Sequence, residues 1–344
     1  MNKQQTEQNR LTTVSLLIIA AVALGFVIKY ASVVLIPFVL AVFITLLVSP
    51  VLDYQVLRLK IPRPIAVFVT ILIVLIILSI FFIFAAHIAQ TLIATTGRYS
   101  DSIINLIDQS FVKMNEWGLD LDPGKIGQDL KEQIPVFVTS SVSSIMAVVS
   151  KALFVAVFVL FLLIGRNPNV IYEGMYGEID RKIRRYISIK TILSIITGSL
   201  VWIALTLFNL EMASVFGICA FLLNFIPSIG SIIATLLPIP IAVAQFDNPW
   251  MIAAVVLVPG AVQMTIGNIV EPKLMGQRLH LHPVMILLAL SFWGLLWGIP
   301  GMFLAVPITA TIRIILMQFD TLRPIGRIMA GQLPKWDTEL ADDD

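Results

Sequence analysis

Residues 65–86 read IAVFVTILIVLIILSIFFIFAA, an apolar run without a single charge. A helix of that length, rising 1.5 Å per residue, crosses the roughly 30 Å of a bilayer's hydrocarbon layer. VSLLIIAAVALGFVI at 14–28 is the apolar middle of a second such span, at 11–28. No water inside a bilayer bonds free N–H and C=O groups, so spans of this type fold as helices that satisfy their own backbone. Only 13% of the chain is charged, against about 25% in a soluble domain, and 58% is hydrophobic. These features predict an all-α, polytopic membrane protein. The lone cysteine, Cys219, gives no disulfide framework. The start MNKQQTEQNR before an apolar run resembles a signal peptide, but further spans follow at once, so an uncleaved first span is expected.

The apolar periodicity places spans at 11–28, 32–52, 64–88, 143–164 and 187–208, then interrupted segments from 212 to 318. Basic residues set the orientation. If the N-terminus, 53–63, 165–190, 271–282 and the tail after 318 share one side, that side holds sixteen of the 23 lysines and arginines, and the opposite side holds five. The asymmetry predicts that both termini are cytoplasmic. Three regions follow: N-terminal spans at 1–88, a hydrophilic external segment at 89–142, and a C-terminal membrane region with a cytoplasmic tail at 143–344. The external segment carries seven acidic and four basic residues. Ile103, Ile107, Phe111, Met114 and Trp117 recur at helical spacing, as do Ile126, Leu130, Ile134 and Phe137, around a turn at GLDLDPG. The pattern fits a helical cap or arm, and equally a solvated helical hairpin. On the cytoplasmic side, Ile171, Met175, Ile179, Ile183 and Ile187 repeat every four residues beside Arg181, Lys182, Arg184 and Arg185. This is the pattern of a basic amphipathic helix at an anionic lipid surface.

The C-terminal half interrupts itself twice. FLLNFIPSIGSIIATLLPIPIA (221–242) places Asn224, Pro227, Ser228 and Gly230 between two short apolar halves, and GIPG (298–301) places Gly298 and Gly301 between two more. Each half at the first break has about 14 residues and reaches only about 21 Å. Proline removes a backbone donor and clashes with the preceding turn, so each break ends a helix. Paired broken segments are the sequence pointer to a transporter's binding region, because unwound backbone at membrane depth must face protein or a water-filled cavity. The rival reading is a tight surface turn between two short spans.

Several polar residues accompany the breaks. Asn224 either contacts solute or caps a half-helix, and Gln263 and Asn268 either line a path or join helices. Glu271 is a candidate by virtue of being a carboxylate near membrane depth, or else pairs with Lys273 or Arg278. Arg313 is placed to snorkel inward and Lys151 outward. His280 and His282 are too few for a metal site, and no phosphate-binding glycine loop is present, which argues against direct ATP coupling. No enzyme signature appears, and no cofactor is expected.

NFIPSIG (224–230), GNIVEPKLMGQRLHLHP (267–283), GIPGMFLAVPITA (298–310), KTILSIITG (190–198) and IPFVLAVFITLLVSPVL (36–52) together resemble the autoinducer-2 exporter family of bacterial inner-membrane proteins. The resemblance covers most of the chain outside 89–142. It implies export of autoinducer-2, a small hydroxylated signal, and a homo-oligomer in the inner membrane. It also implies Asn224, Pro227, Gly230, Asn268, Glu271, Pro272 and Gly276 as positions to test. Some members of this family look like sodium- or lithium-proton antiporters. The expected function is therefore transport of a small polar signalling molecule through the lipid bilayer. Cation–proton antiport through Glu271 is the first alternative and a non-transporting membrane scaffold the second. No nucleic-acid partner and no structural or catalytic metal site is expected.

Overall fold

The computed structural model describes residues 3–116, 136, 139–140, 143, 151–167, 170, 173–275 and 281–332. Every regular element among them is helical. The N-terminal part holds α1 (Lys3–Tyr30), α2 (Ser32–Leu57), α3 (Arg63–Glu116) and α4 (Lys151–Gly165). Then come α5 (Gly174–Leu207), α6 (Ala213–Leu223), α7 (Ile229–Leu236) and α8 (Ile239–Gln245). A long helical run follows: α9 (Pro249–Thr265), a π-helical turn (Ile266–Val270) and α10 (Glu271–Met275). α11 (Pro283–Trp297), α12 (Ile299–Gln318) and α13 (Arg323–Met329) complete the described chain.

Five stretches among the described residues are long and apolar enough to cross a membrane: Ser32–Leu57, Arg63–Thr91, Gly174–Leu207, Pro249–Met275 and Ile299–Gln318. Their outer faces display Val33, Phe68, Ile83, Trp202 and Leu257, all more than 45% exposed. Such a surface suits lipid and would be a liability in water. The protein is a multi-pass membrane protein.

Two expected boundaries fall inside continuous helices. α3 does not stop at residue 88. Its 54 residues extend about 80 Å, well past its apolar portion. The basic amphipathic segment and the span after it are likewise one helix, α5, of 34 residues. Helix propagation costs little once a turn has formed, and neither junction carries a proline to end it. The turn at 118–124, most of the second amphipathic stretch, Gly276, Arg278 and His280 lie outside the described residues.

Charges at one end fix the start of α5. Asp53 of α2 accepts from Arg184 at 2.9 Å and from Arg166 at 3.3 Å, and Asp180 accepts from Arg184 at 2.6 Å. Arg63 donates to the carbonyls of Ile164 and Arg166, both at 2.7 Å. This network ties α2, α3, the end of α4 and α5 together. Further along, α5 packs against α6 where Gly198 meets Gly217. A Cβ on Gly198 would lie 2.7 Å from the Gly217 carbonyl oxygen. Small residues at a crossing let two membrane helices approach closely, where dispersion replaces the missing hydrophobic force.

α6, α7 and α8 form a hairpin whose two ends are clasped. The Gln245 side chain accepts from the Glu211 amide at 2.8 Å and donates to the Asn209 carbonyl at 2.7 Å. At the other extreme, Asn224 sits beside Ser194, thirteen residues before the end of α5. The hairpin therefore turns about 20 Å along α5. α5 continues past that turn for another twenty residues.

The α11–α12 hairpin turns at Gly298, whose φ of +66° favours glycine. Its tip meets the end of α1, where the Trp297 indole donates to the Ile28 carbonyl at 3.1 Å. Phe225 of the first turn stacks on Phe303 of α12 with centroids 4.3 Å apart, so the two hairpins share the core. Both turns use a glycine in the same way. A Cβ on Gly230 would lie 1.8 Å from the Leu223 carbonyl oxygen, and one on Gly301 would lie 1.9 Å from that of Trp293. Those neighbours are backbone and cannot swing aside. Gly230→Ala and Gly301→Ala are expected to lower stability by at least about 2 kcal/mol each, because overpacking here has no side chain to relax. Gly25→Ala, with nothing within 4 Å of the new methyl, is expected not to. Thermal unfolding of the detergent-purified variants measures the difference.

Candidate functional site

The first break is built around a strained turn. Ser228 has φ +61° and ψ −58°, and the Ile229 amide donates to the Pro227 carbonyl at 2.7 Å. That pairing is a γ-turn of the rare form, and a non-glycine residue held there costs about 1–3 kcal/mol. Such conformations persist only where surrounding packing over-determines them. Here Phe225 and Ile226 are buried on one side of the turn and Gly230 on the other.

Beyond the turn lies a cavity of about 480 Å³, lined by the break, α5, α7, α9, the π-helical turn and α10. Its two long walls are polar stripes on apolar helices. Ser228, Ser231 and Thr235 follow each other one turn apart on one wall. Gly260, Gln263, Gly267 and Glu271 do the same on the other. Spacings of three and four keep side chains on a single helical face. The π-helical turn falls inside the second stripe. The Glu271 amide bonds back to the Ile266 carbonyl, five residues earlier, where an α-helix would reach four. Single π-turns inside α-helices occur frequently at functional sites.

Three polar features face this space. Asn224 is 3% exposed and donates from Nδ2 to the Ser194 hydroxyl at 3.0 Å. Its side chain therefore joins the break to α5, and its backbone stands at the C-cap of α6. Glu271 pairs with Lys190, whose Nζ donates to Oε1 at 2.6 Å. Lys190 is 2% exposed, so this ion pair is far from bulk water on its lysine side. Gln263 is 4% exposed, and neither its Nε2 nor its Oε1 has a hydrogen-bond partner among the described residues. A buried amide without partners costs about 1–3 kcal/mol for each group left unmade. Gln263 belongs to the cavity wall with both amide atoms buried, so a guest in that space supplies the missing bonds only after the side chain turns toward it.

The structure thus gathers Asn224, Pro227, Ser228, Gln263, Asn268 and Glu271 around one space. Gly230 shapes the turn from behind. Gly298 and Gly301 belong to the other hairpin and do not line the cavity. Pro272 follows Glu271 on α10, exposed and away from the lining. Among the described residues Glu271 pairs with Lys190 and not with Lys273; Arg278 lies outside them. In the sequence Lys190 reads as one of the basic residues of 165–190 that set the orientation. Its spacing carried a signal nonetheless: Lys190, Ser194 and Gly198 lie four apart, in line with the buried Val201 and Leu205. Arg313 is buried and donates to the Gly326 carbonyl at 3.1 Å, joining α12 to α13 away from the cavity. Among the described residues no cluster of His, Cys, Asp and Glu fits a metal ion.

Breaking one side of a buried ion pair strands the other charge, at a cost of about 3–5 kcal/mol. Lys190→Met and Glu271→Gln are each expected to destabilise on that scale. The double variant is expected to lose clearly less than the two losses added. Unfolding of the three purified variants completes the cycle, and simple additivity would mean that the two groups do not interact.

The sequence matches the family described as AI-2E family transporter over residues 16–166 and 164–320. It is 29% identical over 304 residues to the AI-2 transport protein TqsA of Escherichia coli (strain K12), covering 85% of this chain and 88% of that protein. It is 32% identical over 318 residues to a putative transport protein of Haemophilus influenzae, covering 84% of this chain and 88% of the other. The putative transport protein YhhT of E. coli K12 is 27% identical over 300 residues, 83% of this chain and 84% of its own length. A polar cavity between broken apolar helices and a match along nearly the whole chain lead to one assignment: this chain belongs to the AI-2E family of membrane transporters.

Proposed function

We propose that the protein carries a small, uncharged, hydrogen-bonding solute across the bacterial inner membrane, and that the solute is autoinducer-2 moving outward. The observation that carries this reading is a cavity of about 480 Å³ with a wall rich in polar side chains that includes Gln263, whose buried amide has no hydrogen-bond partner among the described residues. Around it stand the hydroxyls of Ser228, Ser231 and Thr235 and the amide of Asn268. A polyhydroxylated solute needs such donors and acceptors more than it needs a counter-charge. The likeness to a protein named for AI-2 transport supplies the specific solute.

In this reading the hairpin from Asn209 to Gln245 is re-entrant, entering from the external side and turning part-way through the bilayer. Its clasped ends and its turn beside Ser194 support that placement. Residues 143–344 form the transport region, 89–142 an external arm, both termini are cytoplasmic, and the protein works as a homo-oligomer. A second reading, cation–proton antiport, is favoured by the Glu271 carboxylate in the cavity wall. It requires Glu271 to exchange its lysine for a cation and a proton in turn.

Two measurements test the proposal. Cells lacking the gene are expected to retain more autoinducer-2 inside and release less than cells carrying it, whereas equal levels in both would contradict export. In proteoliposomes, Gln263→Leu is expected to slow autoinducer-2 flux about tenfold, the worth of one or two net hydrogen bonds. Flux that persists unchanged would remove Gln263 from the pathway. A protein that moves no solute at all would return the scaffold reading.

A further inference from the structure

We propose that Lys190 and Glu271 form a charge filter that makes the cavity selective for neutral solutes and closes it to ions of either sign. The assignment rests on the solute-transport reading above and adds a selectivity mechanism to it. A buried ion pair is seldom an economical way to stabilise a fold, since well-packed apolar residues of similar volume often do as well or better. Lys190 is 2% exposed and sits on the buried stripe of α5, where neighbouring turns carry serine, glycine, valine and leucine. Placing an ammonium there needs a reason beyond packing. Its Nζ lies 2.6 Å from Glu271 Oε1, and both residues line the cavity.

No other lining residue carries a formal charge. The wall therefore sums to zero. An ion entering must shed water, and opposite charges 2.6 Å apart offer it little net field in return. A neutral solute faces no such barrier, and Gln263 and the hydroxyl stripe bond to it. Removing either charged partner leaves one unbalanced charge on the cavity wall, which attracts ions of opposite sign.

The test uses the full-length protein in proteoliposomes, with radiolabelled sodium and chloride as probes beside autoinducer-2. Lys190→Met exposes the carboxylate and is expected to raise sodium uptake about tenfold or more. Glu271→Gln exposes the amine and is expected to do the same for chloride. Gln263→Glu adds a negative charge to the wall with the pair intact, and is expected to admit sodium as Lys190→Met does. The wild type and the double variant Lys190→Met/Glu271→Gln, both summing to zero, are expected to stay tight to both ions. If Lys190→Met does not insert, Gln263→Glu decides alone.

The proposal is overturned if Lys190→Met and Gln263→Glu both remain sodium-tight, or if the double variant leaks ions as freely as the single ones. The outcomes also separate this assignment from the reading beneath it. A wild type that moves autoinducer-2, with variants that stay ion-tight, removes the filter alone. A wild type that takes up sodium and not autoinducer-2 removes both and establishes cation transport.

Discussion

A helix that turns round among apolar neighbours must find partners for the backbone groups its turn sets free. Everything around the first break follows from that requirement. Pro227 ends one helix, the γ-turn at Ser228 bonds Ile229 to the Pro227 carbonyl, and the Gly230 amide returns to the Ile226 carbonyl at 3.1 Å. The turn closes so tightly that Gly230 sits against the Leu223 carbonyl with no room for a methyl group. Phe225 and Ile226 then lock the tip into the core shared with α12. What remains open is the opposite flank, where serine and threonine hydroxyls face Gln263 and Glu271 across the cavity.

The two hairpins use the same local device for different ends. Each has a glycine pressed on a carbonyl of the preceding helix, and each has a proline close by. The α11–α12 turn meets α1 through Trp297 and Ile28 and lies away from the cavity, whereas the α6–α7 turn forms part of its wall. The difference lies in what each turn carries. Asn224, Ser228 and Ser231 surround the first, and Trp297, Ile299 and Met302 the second. Broken backbone is common to both, but only the first brings polar side chains with it.

Much of this was legible in the sequence. Apolar runs without charges gave the membrane-spanning helices, and Asn224, Pro227 and Gly230 marked the break correctly. Gln263 and Asn268 were readable as candidates because they are amides within one apolar segment, and Glu271 because it is a carboxylate near that segment's end. Other features depend on distance. Lys190 and Glu271 are 81 positions apart, and a lysine beside a basic helix looks like a topology signal until its partner is seen. The π-helical turn leaves no residue signature in IGNIV, because one additional residue within a helix changes hydrogen bonding and not composition. The clasp of Gln245 on Asn209 and Glu211 is equally silent, since it depends on two hairpin ends meeting in space. The spans at 64–88 and 187–208 correspond to membrane-length stretches, and what the sequence does not mark is how far α3 and α5 run on beyond them, since no proline imposes a stop there.

The central claim is that the 224–230 turn lies at depth beside a solute-filled space and not at an outer surface. Thiol accessibility tests it directly, in a chain whose single cysteine, Cys219, is replaced by serine. Ser231→Cys and Asn209→Cys would be exposed to a charged, membrane-impermeant thiol reagent with and without autoinducer-2. The account predicts that Asn209→Cys, at the base of the hairpin, reacts quickly and indifferently to solute. It predicts that Ser231→Cys reacts slowly and is protected by solute. Equal, unprotected reactivity at both positions would make the break a surface turn and contradict the account.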